Sequence, residues 1–379
     1  MNFQLTEEQQ LVRGSVREFC QQYVEPLAQK VDQEAYFPTE TIKKLAAQEW
    51  TGIPYPVEYG GAGADYLTYI IVLEELSRAC ATTGFTLECH SSLASFPLWK
   101  YGSEKQKQEW LVPLCKGEIL GSFALTEPGA GTDAGSGQST AVLDGDAYVL
   151  NGTKMFISNA PVAGVLIIFA STDRSKGAKG LSAFIVPGGT PGLSTGKHLN
   201  KMGIRGSLTA EVIMKDCRIP KENLLGAEGQ GFKIAMSTLD GGRIGIAAQA
   251  LGIAQAALDE SVAYAKERVQ FGKPISSFQA IQWMLANMAT DVEAARYLTY
   301  YAAWCYDQGR NYSKEAAMAR LFASECAARH TNRAVQIHGG IGYIKGHKVE
   351  QLYRDAKITE IYEGTNEVMR MVVAGSMLR

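Results

Sequence analysis

The sequence predicts an α+β protein with an N-terminal helical domain, a central antiparallel β domain and a C-terminal four-helix bundle. Three observations predict this order. Apolar residues recur at helical spacing over residues 1–120, and short apolar runs separated by Gly and Pro turns occupy 121–230. Long helical segments rich in Ala, Leu, Met and Arg then fill 231–379. A length of 379 residues suits two or three domains, at roughly 100–200 residues per domain.

Helix starts are visible in the first domain. Thr6 with Gln9, and Ser103 with Gln106, form capping boxes in which each side chain bonds the other residue's backbone. Residues 66–76 place apolar side chains three and four apart, which predicts a largely buried helix. The Pro- and Gly-rich stretch 54–63 predicts a loop.

The central domain is predicted from apolar runs at residues 165–169 and 183–186, which are short enough for strands. Turn signals separate such runs. They are Asp144-Gly145, Asn151-Gly152, Pro187-Gly188-Gly189 and Pro191-Gly192. In the third domain, residues 313–337 read as one long helix that stops at Gly339-Gly340. A helix of that length needs packing partners, which favours a bundle.

Composition excludes several classes of function. A net charge of -2 gives no basic surface for nucleic acid, and no run of about eighteen apolar residues could span a membrane. The seven cysteines lack a C-x-x-C pair and the five histidines lack metal-site spacing, so we expect reduced structural thiols and no metal. The N-terminal residues show no signal or presequence pattern, so we expect a protein of the bacterial cytoplasm.

A glycine-rich segment at residues 123–136 contains the pattern G-x-G-x-x-A at Gly129, Gly131 and Ala134. A dinucleotide fingerprint needs a helix directly afterwards, but strand-like residues 141–150 follow here. The segment is therefore read as a loop whose open backbone N–H groups and threonine hydroxyls suit a large polar ligand. An ordinary surface connection is the alternative reading.

Four motifs along the chain resemble the acyl-CoA dehydrogenase family, in the family's order. They are F-A-L-T-E-P-G-A-G-T-D-A-G-S from residue 123, L-D-G-G-R-I-G-I-A from 239, Q-I-H-G-G from 336 and I-Y-E-G-T-N-E from 361. The resemblance runs from Leu5 to the C-terminus and is greatest to short-chain enzymes of the bacterial butyryl-CoA dehydrogenase type.

The resemblance implies FAD as cofactor, with several of its contacts made across a subunit boundary in a homotetramer. The implied FAD-binding residues are Phe123, Leu125, Thr126, Gly131, Thr132, Phe156, Ile157, Ser158, Arg268, Gln279, Gln336, Ile337, His338, Gly339, Gly340, Thr365, Asn366 and Glu367. Phe156 replaces the family's commoner Trp. Arg268, Gln279 and residues 336–340 would reach the neighbouring subunit's FAD. For His338 taken alone, a packed helix-end residue is the alternative reading.

The resemblance also implies a short-chain acyl-CoA thioester as substrate and electron-transferring flavoprotein as partner, in fatty acid metabolism. The implied substrate-binding residues are Thr132, Asp240, Arg243, Tyr362 and Gly364. The implied reaction is α,β-dehydrogenation, or the reverse reduction of a 2-enoyl-CoA, with hydride passing between the β carbon and the flavin. Residues 84–96 are the candidate wall for the acyl tail, although a core helix would have a similar sequence.

The resemblance assigns the base that removes the α proton to Glu363. A carboxylate in water is too weak a base for this proton, so the base must be desolvated, which raises its pKa. Glu363 has apolar and aromatic neighbours on one side and Gly364 on the other, as a water-poor pocket requires. Some relatives carry the base at the position matched here by Gly242, which has no side chain.

Two rival functions stay open at this point. An acyl-CoA oxidase or a nitroalkane-oxidising flavoenzyme would share the fold and pass electrons to oxygen. A non-catalytic helical scaffold would need neither Glu363 nor the flavin motifs. The acyl chain length, an aliphatic or aryl tail and the physiological direction also stay open.

Overall fold

The computed structural model describes residues 4–378 of the chain. Residues 1–3 and 379, at the outer limits of the first and third predicted domains, lie outside that range. The part before the first strand is helical, as predicted. Its helices are α1 (Glu7–Phe19), α2 (Glu25–Gln33), α3 (Thr39–Ala47), α4 (Tyr66–Ala79), α5 (Ala81–Glu88), α6 (Phe96–Tyr101), α7 (Glu104–Gln106) and α8 (Val112–Cys115).

The local predictions for this part are confirmed. Both capping boxes form, at the start of α1 and at the start of α7. Helix α4 is buried along almost its whole length, with only Leu67 and Arg78 outside the buried set. Residues 54–63 contain a single 3₁₀ turn, Val57–Tyr59, and no α-helix. A π-helical segment, Cys89–Ser95, joins α5 to α6 and is buried throughout.

The central domain is an eight-stranded sheet in the order β6-β7-β3-β2-β4-β5-β8, with β1 paired to β4. Its strands are β1 (Leu120–Ala124), β2 (Thr140–Asp144), β3 (Ala147–Ser158), β4 (Ala163–Ser171), β5 (Leu181–Pro187), β6 (Leu193–Thr195), β7 (Thr209–Pro220) and β8 (Leu224–Leu225). The apolar runs predicted as strands lie in β4 and β5. Pairing is mostly antiparallel, as predicted, but β1 and one residue pair of β2 run parallel to β4, so the sheet is mixed. A parallel pair needs a long connection, which residues 125–162 provide.

The predicted turn at Asn151-Gly152 was wrong, because both residues lie inside β3. The register with β7 shifts at this point, which marks a bulge. A side-chain carbon on Gly152 would lie 2.3 Å from the Ser139 hydroxyl oxygen. The glycine is therefore needed for close approach of two chain segments, and not for a hairpin.

The C-terminal domain is helical, as predicted, and contains a small β-hairpin. Its elements are α9 (Gly231–Glu267), β9 (Val269–Gln270), β10 (Lys273–Pro274), α10 (Gln279–Asp307), α11 (Ser313–His338), α12 (Lys348–Lys357) and α13 (Asn366–Met377). Helix α11 ends at Gly339, which has a positive φ of 63°. Helix α9 packs against α10, α11 and α4, and its residues 241–254 are all buried. No helix within residues 4–378 is long and apolar enough to cross a membrane.

Candidate active site

Glu363 lies in the turn between α12 and α13. Its backbone is left-handed, with φ 54°, and Gly364 follows with φ 98°. The Thr365 side chain then caps α13 by accepting a hydrogen bond from the Val368 amide at 3.4 Å. Two successive residues with positive φ reverse the chain, and both carboxylate oxygens of Glu363 are buried without a hydrogen bond of normal geometry to any residue in the range 4–378. Such strain and such an unpaired buried group are typical of functional sites.

Helix α9 makes room for this carboxyl group at Gly242. A side-chain carbon built on Gly242 would lie 2.4 Å from Oε2 of Glu363 and 2.8 Å from Cδ2 of Leu93. Any residue other than glycine would therefore displace the carboxyl group. Because glycine has no side chain, α9 supplies no carboxylate at this position, and the Glu363 carboxylate takes the space.

Two arginines set the charge around Glu363. The fully buried Arg320 of α11 donates to the Tyr362 carbonyl at 2.6 Å and to the Thr359 carbonyl at 3.0 Å, which holds the turn in place. Burial raises the pKa of Glu363 to about 7, and the charges of Arg320 and Arg243 oppose a larger rise. A carboxyl group that titrates near neutrality is suited to accept a proton in a cavity that excludes water.

The predicted thioester element lies on α9, next to Gly242. The Arg243 guanidinium donates to Oδ1 of Asp240 at 2.6 Å, and the Ser313 hydroxyl donates to the same oxygen at 3.0 Å. Nη2 of Arg243 lies 3.8 Å from the position of a side-chain carbon on Gly364. The structure thus brings Asp240, Arg243, Glu363 and Gly364 together. Nε of Arg243 is buried and has no hydrogen-bond partner among residues 4–378, so it can donate to a ligand.

Tyr362 forms a wall of the same region. Its ring stacks on Phe85 of α5, with centroids 4.9 Å apart and an interplanar angle of 26°. Its hydroxyl bonds to the side-chain oxygen of Gln249, whose amide nitrogen in turn donates to the Ala81 carbonyl at 3.2 Å. The predicted tail wall, residues 84–96, therefore meets the Glu363 turn through Phe85.

A second carboxyl group, Glu88, was missed by sequence reasoning. It ends α5 and is fully buried, and in the described part of the chain neither of its oxygens has a hydrogen-bond partner of normal geometry. Burial, and then the neighbouring Glu363, raise the pKa of Glu88 well above its usual value. Residues 84–96 contain one acidic residue among small, apolar and neutral polar ones, and this isolated charge was the available signal.

The glycine-rich loop is attached to β3 beside the site. The Met155 amide donates to the Thr126 carbonyl at 2.8 Å, and the Lys154 ammonium donates to the Leu125 carbonyl at 3.2 Å. The same ammonium pairs with Glu127 at 2.7 Å, with both side chains nearly inaccessible to solvent. Gly131 and Thr132 are exposed beyond this anchor. The loop leads into a short 3₁₀ turn and then β2, so it opens no helix, as predicted.

Residues 156–158 end β3 beside that loop. The register with β7 shifts between Lys154 and Ile157, and Phe156 has φ 59° and is 62% exposed. Ile157 points into the sheet core, whereas the Ser158 carbonyl accepts a hydrogen bond from the Ser122 hydroxyl at 2.6 Å. The bulge is what projects the aromatic ring outward. The two flavin segments predicted from sequence are thus adjacent in space.

A second group of predicted FAD residues lies at one end of the C-terminal helices. Arg268 follows the end of α9, Gln279 begins α10, and residues 336–340 end α11. Arg268, Gln279, Gln336, Gly339 and Gly340 are exposed. The His338 ring is buried, stacks on Tyr264 at 4.2 Å and bonds the Ala334 carbonyl at 2.8 Å. Ile337 is buried too, so these two side chains pack within the protein and leave only backbone for a ligand.

Three further predicted residues have structural partners. Phe123 is buried against Phe169, with ring centroids 4.9 Å apart. Asn366 is buried and accepts a hydrogen bond from the Ser324 hydroxyl at 3.0 Å. Glu367 is exposed in the first turn of α13.

The residues present fit FAD. Side-chain carbons built on Gly129, Gly131, Gly339 and Gly340 would meet nothing within 4 Å, so their backbone is open to a bulky ligand. The exposed Arg268 that follows α9 suits a pyrophosphate, because a guanidinium pairs with phosphate oxygens. Across residues 4–378, no three His, Cys, Asp or Glu side chains are grouped so that they could hold a metal ion.

Comparison with known proteins agrees with this geometry. Family models described as the N-terminal, middle and C-terminal domains of acyl-CoA dehydrogenase match residues 6–118, 122–217 and 229–378. A relative named "Acyl-CoA dehydrogenase, short-chain specific", from Clostridium acetobutylicum, is 53% identical over 379 residues and is covered completely, as is this chain.

Solved structures give the same result. Butyryl-CoA dehydrogenase from Megasphaera elsdenii has a TM-score of 0.99 and 48% identity, with 100% of both chains covered. A structure described as electron transferring flavoprotein of Acidaminococcus fermentans has a TM-score of 0.99 and 52% identity, again with 100% of both chains covered. The FAD complex of PigA has a TM-score of 0.95 and 31% identity, and it covers 100% of this chain and 99% of its own.

Proposed function

Because this chain belongs to the acyl-CoA dehydrogenase family, we propose that Glu363 is the base that removes the α proton of its acyl-CoA substrate. The protein is an FAD-dependent oxidoreductase that interconverts a short-chain acyl-CoA and its 2-enoyl-CoA. One observation carries the assignment of the base. The Glu363 carboxylate is buried, unpaired and held next to Arg243 and Tyr362.

Each part of the reaction has residues on this chain. Asp240 and Arg243 orient the thioester arm, and Tyr362 and Gly364 border the acyl group. The Glu363 backbone N–H binds the thioester oxygen, and its carboxylate takes the α proton. FAD, when bound, supplies the acceptor for the hydride that leaves the β carbon. Leu125, Thr126, Thr132 and residues 156–158 hold its ring system.

Substitution of the base tests this proposal. Glu363→Gln keeps the side-chain volume but cannot accept the proton. We expect the variant to retain FAD and to bind butyryl-CoA, while the rate of anaerobic flavin bleaching falls by at least roughly a hundredfold, the lower range for a lost general base. Stopped-flow absorbance of the flavin band measures this rate.

Glu360→Gln, three residues earlier, is the matched control. Glu360 is half-buried and pairs with the exposed Lys357 at 2.7 Å, so its loss should leave bleaching unchanged. Bleaching at the wild-type rate in Glu363→Gln would contradict the assignment of the base.

Electron-transferring flavoprotein is the proposed electron partner. Phe156, projected by the bulge at the end of β3, gives an exposed aromatic group next to the flavin segments. Exposed aromatic groups are frequent in protein interfaces. Fast reoxidation of the bleached enzyme by this flavoprotein, with slow reoxidation in air, would support the partner and oppose the oxidase alternative.

The bacterial cytoplasm is the predicted location of the protein, and cell fractionation can check this prediction.

We also propose a homotetramer in which Arg268, Gln279 and residues 336–340 complete the FAD site of a neighbouring subunit. Large apolar side chains are exposed close to these residues in sequence. They include Phe271 at 92%, Trp283 at 61% and Tyr343 at 83%. Large apolar side chains with this degree of exposure favour association between subunits.

A further inference from the structure

A second buried carboxyl group faces the base. Glu363 and Glu88 come from different parts of the chain, and α9 leaves room for both at glycines three residues apart. A side-chain carbon on Gly242 would lie 2.4 Å from Oε2 of Glu363, and one on Gly245 would lie 3.0 Å from Oε1 of Glu88. Residues three apart on a helix share a face, and each carboxyl group affects the pKa of the other, so the two lie side by side in the space that α9 leaves at these glycines, here called the cavity.

The helix that carries Glu88 directs it into this cavity. Glu88 is the last residue of α5, and the π-helical segment Cys89–Ser95 begins directly after it. Such segments inside helices are frequent at functional sites. The Ser92 hydroxyl lies 3.3 Å from the built carbon on Gly245 and 2.9 Å from the Tyr69 hydroxyl, so polar groups line this side of the cavity.

Within residues 4–378, no cationic side chain forms an ion pair with Glu88. Its two oxygens and those of Glu363 are buried, and none accepts a hydrogen bond of normal geometry from the described residues. Two ionised carboxylates placed in this way would repel each other without solvent screening, so a single proton shared by the pair is the stable arrangement.

The charges around the two carboxyl groups also indicate that one of the two is ionised and the other protonated. Arg243 and Arg320 are the two cations that act on Glu363. Asp240 already balances Arg243 at 2.6 Å, which leaves the charge of Arg320 to balance one carboxylate. The other titratable groups facing the pair stay neutral, because burial raises the pKa of each. They are Tyr55, Tyr69, Cys89 and Tyr362.

We propose that Glu88 is a positioning residue for Glu363: in the substrate-free enzyme it holds the single proton of the pair and donates it as a hydrogen bond to the ionised base. This inference rests on the proposed role of Glu363 as the base. The hydrogen bond keeps Glu363 ionised and directs its carboxylate before the substrate enters. The proton stays on Glu88 throughout, and Glu363 alone takes up the substrate's α proton.

Two substitutions separate this role from a structural one. Glu88→Gln keeps a hydrogen-bond donor at the same reach, and Glu88→Met keeps the unbranched length but removes the donor. Loss of the donor raises the pKa of Glu363, because its ionised form loses a favourable interaction. In the Met variant the acid limb of the pH–rate profile for flavin bleaching should therefore move up by about one pH unit.

At pH values below that limb, the Met variant should react about tenfold more slowly than the wild type, since one unit is a tenfold change in the ionised fraction. The Gln variant should keep the wild-type acid limb. A Met variant whose acid limb coincides with that of the wild type would overturn the proposal.

Infrared spectroscopy of the holoenzyme gives a readout that does not depend on turnover. On the plateau of the pH–rate profile, where Glu363 is ionised and Glu88 holds the proton of the pair, the wild type should show a protonated-carboxyl stretch that Glu88→Gln lacks. The band should persist in Glu363→Gln. Its presence at full intensity in Glu88→Gln would also overturn the proposal, and this test decides the matter if the Met variant fails to fold.

Glu75→Gln is the matched control. Glu75 is a buried carboxylate of α4 that pairs with Arg17 at 2.7 Å, outside the cavity. Its substitution should change the thermal midpoint without moving the acid limb or the infrared band. If Glu363→Gln abolishes bleaching but the Glu88 variants behave as wild type, the proposed function stands and only this inference fails.

Discussion

Gly242 shows how the absence of a single side-chain carbon determines the position of the base, Glu363. Glycine in the interior of a helix costs roughly 1 kcal/mol relative to alanine. Here it lies in the most buried part of α9, where a stable helix would favour alanine. The space that it leaves is taken by the Glu363 carboxylate and the Leu93 side chain. Helix stability is thus lowered in exchange for the placement of the base.

Gly242→Ala should therefore lower activity without loss of folding. The added methyl group must push the Glu363 carboxylate from its position, and a misplacement of about 1 Å can cost roughly a hundredfold in rate. We expect the variant to retain FAD and to bleach its flavin about ten- to a hundredfold more slowly than the wild type. Stopped-flow bleaching and the flavin-to-protein absorbance ratio measure the two effects.

Gly241→Ala is the neighbouring comparison. A side-chain carbon there would be 3.6 Å from the Tyr66 hydroxyl, at ordinary contact distance. This variant should bleach at close to the wild-type rate. Equal bleaching rates in Gly241→Ala and Gly242→Ala would contradict the inference that the Glu363 carboxylate needs the space at Gly242.

At the scale of an element, β3 links the sheet to the glycine-rich loop at residues 123–136. Lys154 points inward from β3 and is 1% exposed, and its ammonium bonds Glu127 and the Leu125 carbonyl. Glu127 in turn accepts hydrogen bonds from the Gln138 amide at 2.5 Å and the Ser139 amide at 3.0 Å. Burial alone would raise the pKa of Glu127, but Lys154 and these hydrogen bonds hold it below its usual value. The buried pair fixes both ends of the loop that includes residues 129–132.

Lys154→Met should loosen this loop. It leaves the Glu127 carboxylate buried without its cation, which costs about 3–5 kcal/mol for a buried pair. We expect a lower free energy of unfolding in urea and weaker retention of FAD on dialysis. Lys176→Met removes an exposed ion pair with Asp173 and should change neither. Full FAD retention in Lys154→Met would show that the pair does not position the loop.

At the scale of the whole molecule, the predicted FAD residues form two groups. One group surrounds Glu363 and the end of β3, and the other lies at the end of the C-terminal helices, on exposed backbone and Arg268. Assembly of subunits would give the second group its ligand. Oligomer formation and FAD binding should therefore depend on each other.

Arg268→Ala tests this dependence. Loss of a charged hydrogen bond to the pyrophosphate should weaken FAD binding roughly ten- to a hundredfold. We expect a partly colourless protein and a smaller species by light scattering. Lys266→Ala, two residues earlier and also exposed, should stay yellow and of wild-type size. A fully yellow Arg268→Ala variant of unchanged size would contradict the assignment.

Much of the fold could be predicted from local signals. Several features depend on only a few neighbouring residues, so they could be predicted from the sequence. They are the capping boxes at Thr6 and Ser103, the buried helix at residues 66–76 and the helix end at Gly339. The parallel pairing of β1 with β4 and the bulge at Gly152 could not be predicted in this way, because each depends on a contact between distant segments.

The sequence by itself determined the order of helical and β domains, the family and the candidate base, since these depend on short-range patterns and on motifs. Only the tertiary structure decided that Glu363 is buried and unpaired, that His338 and Phe123 pack inward, and that Glu88 faces the base. The physical reason is desolvation. The pKa of a carboxyl group depends on the atoms that surround it, and those atoms come from α5, α9 and α11, which are far apart along the chain.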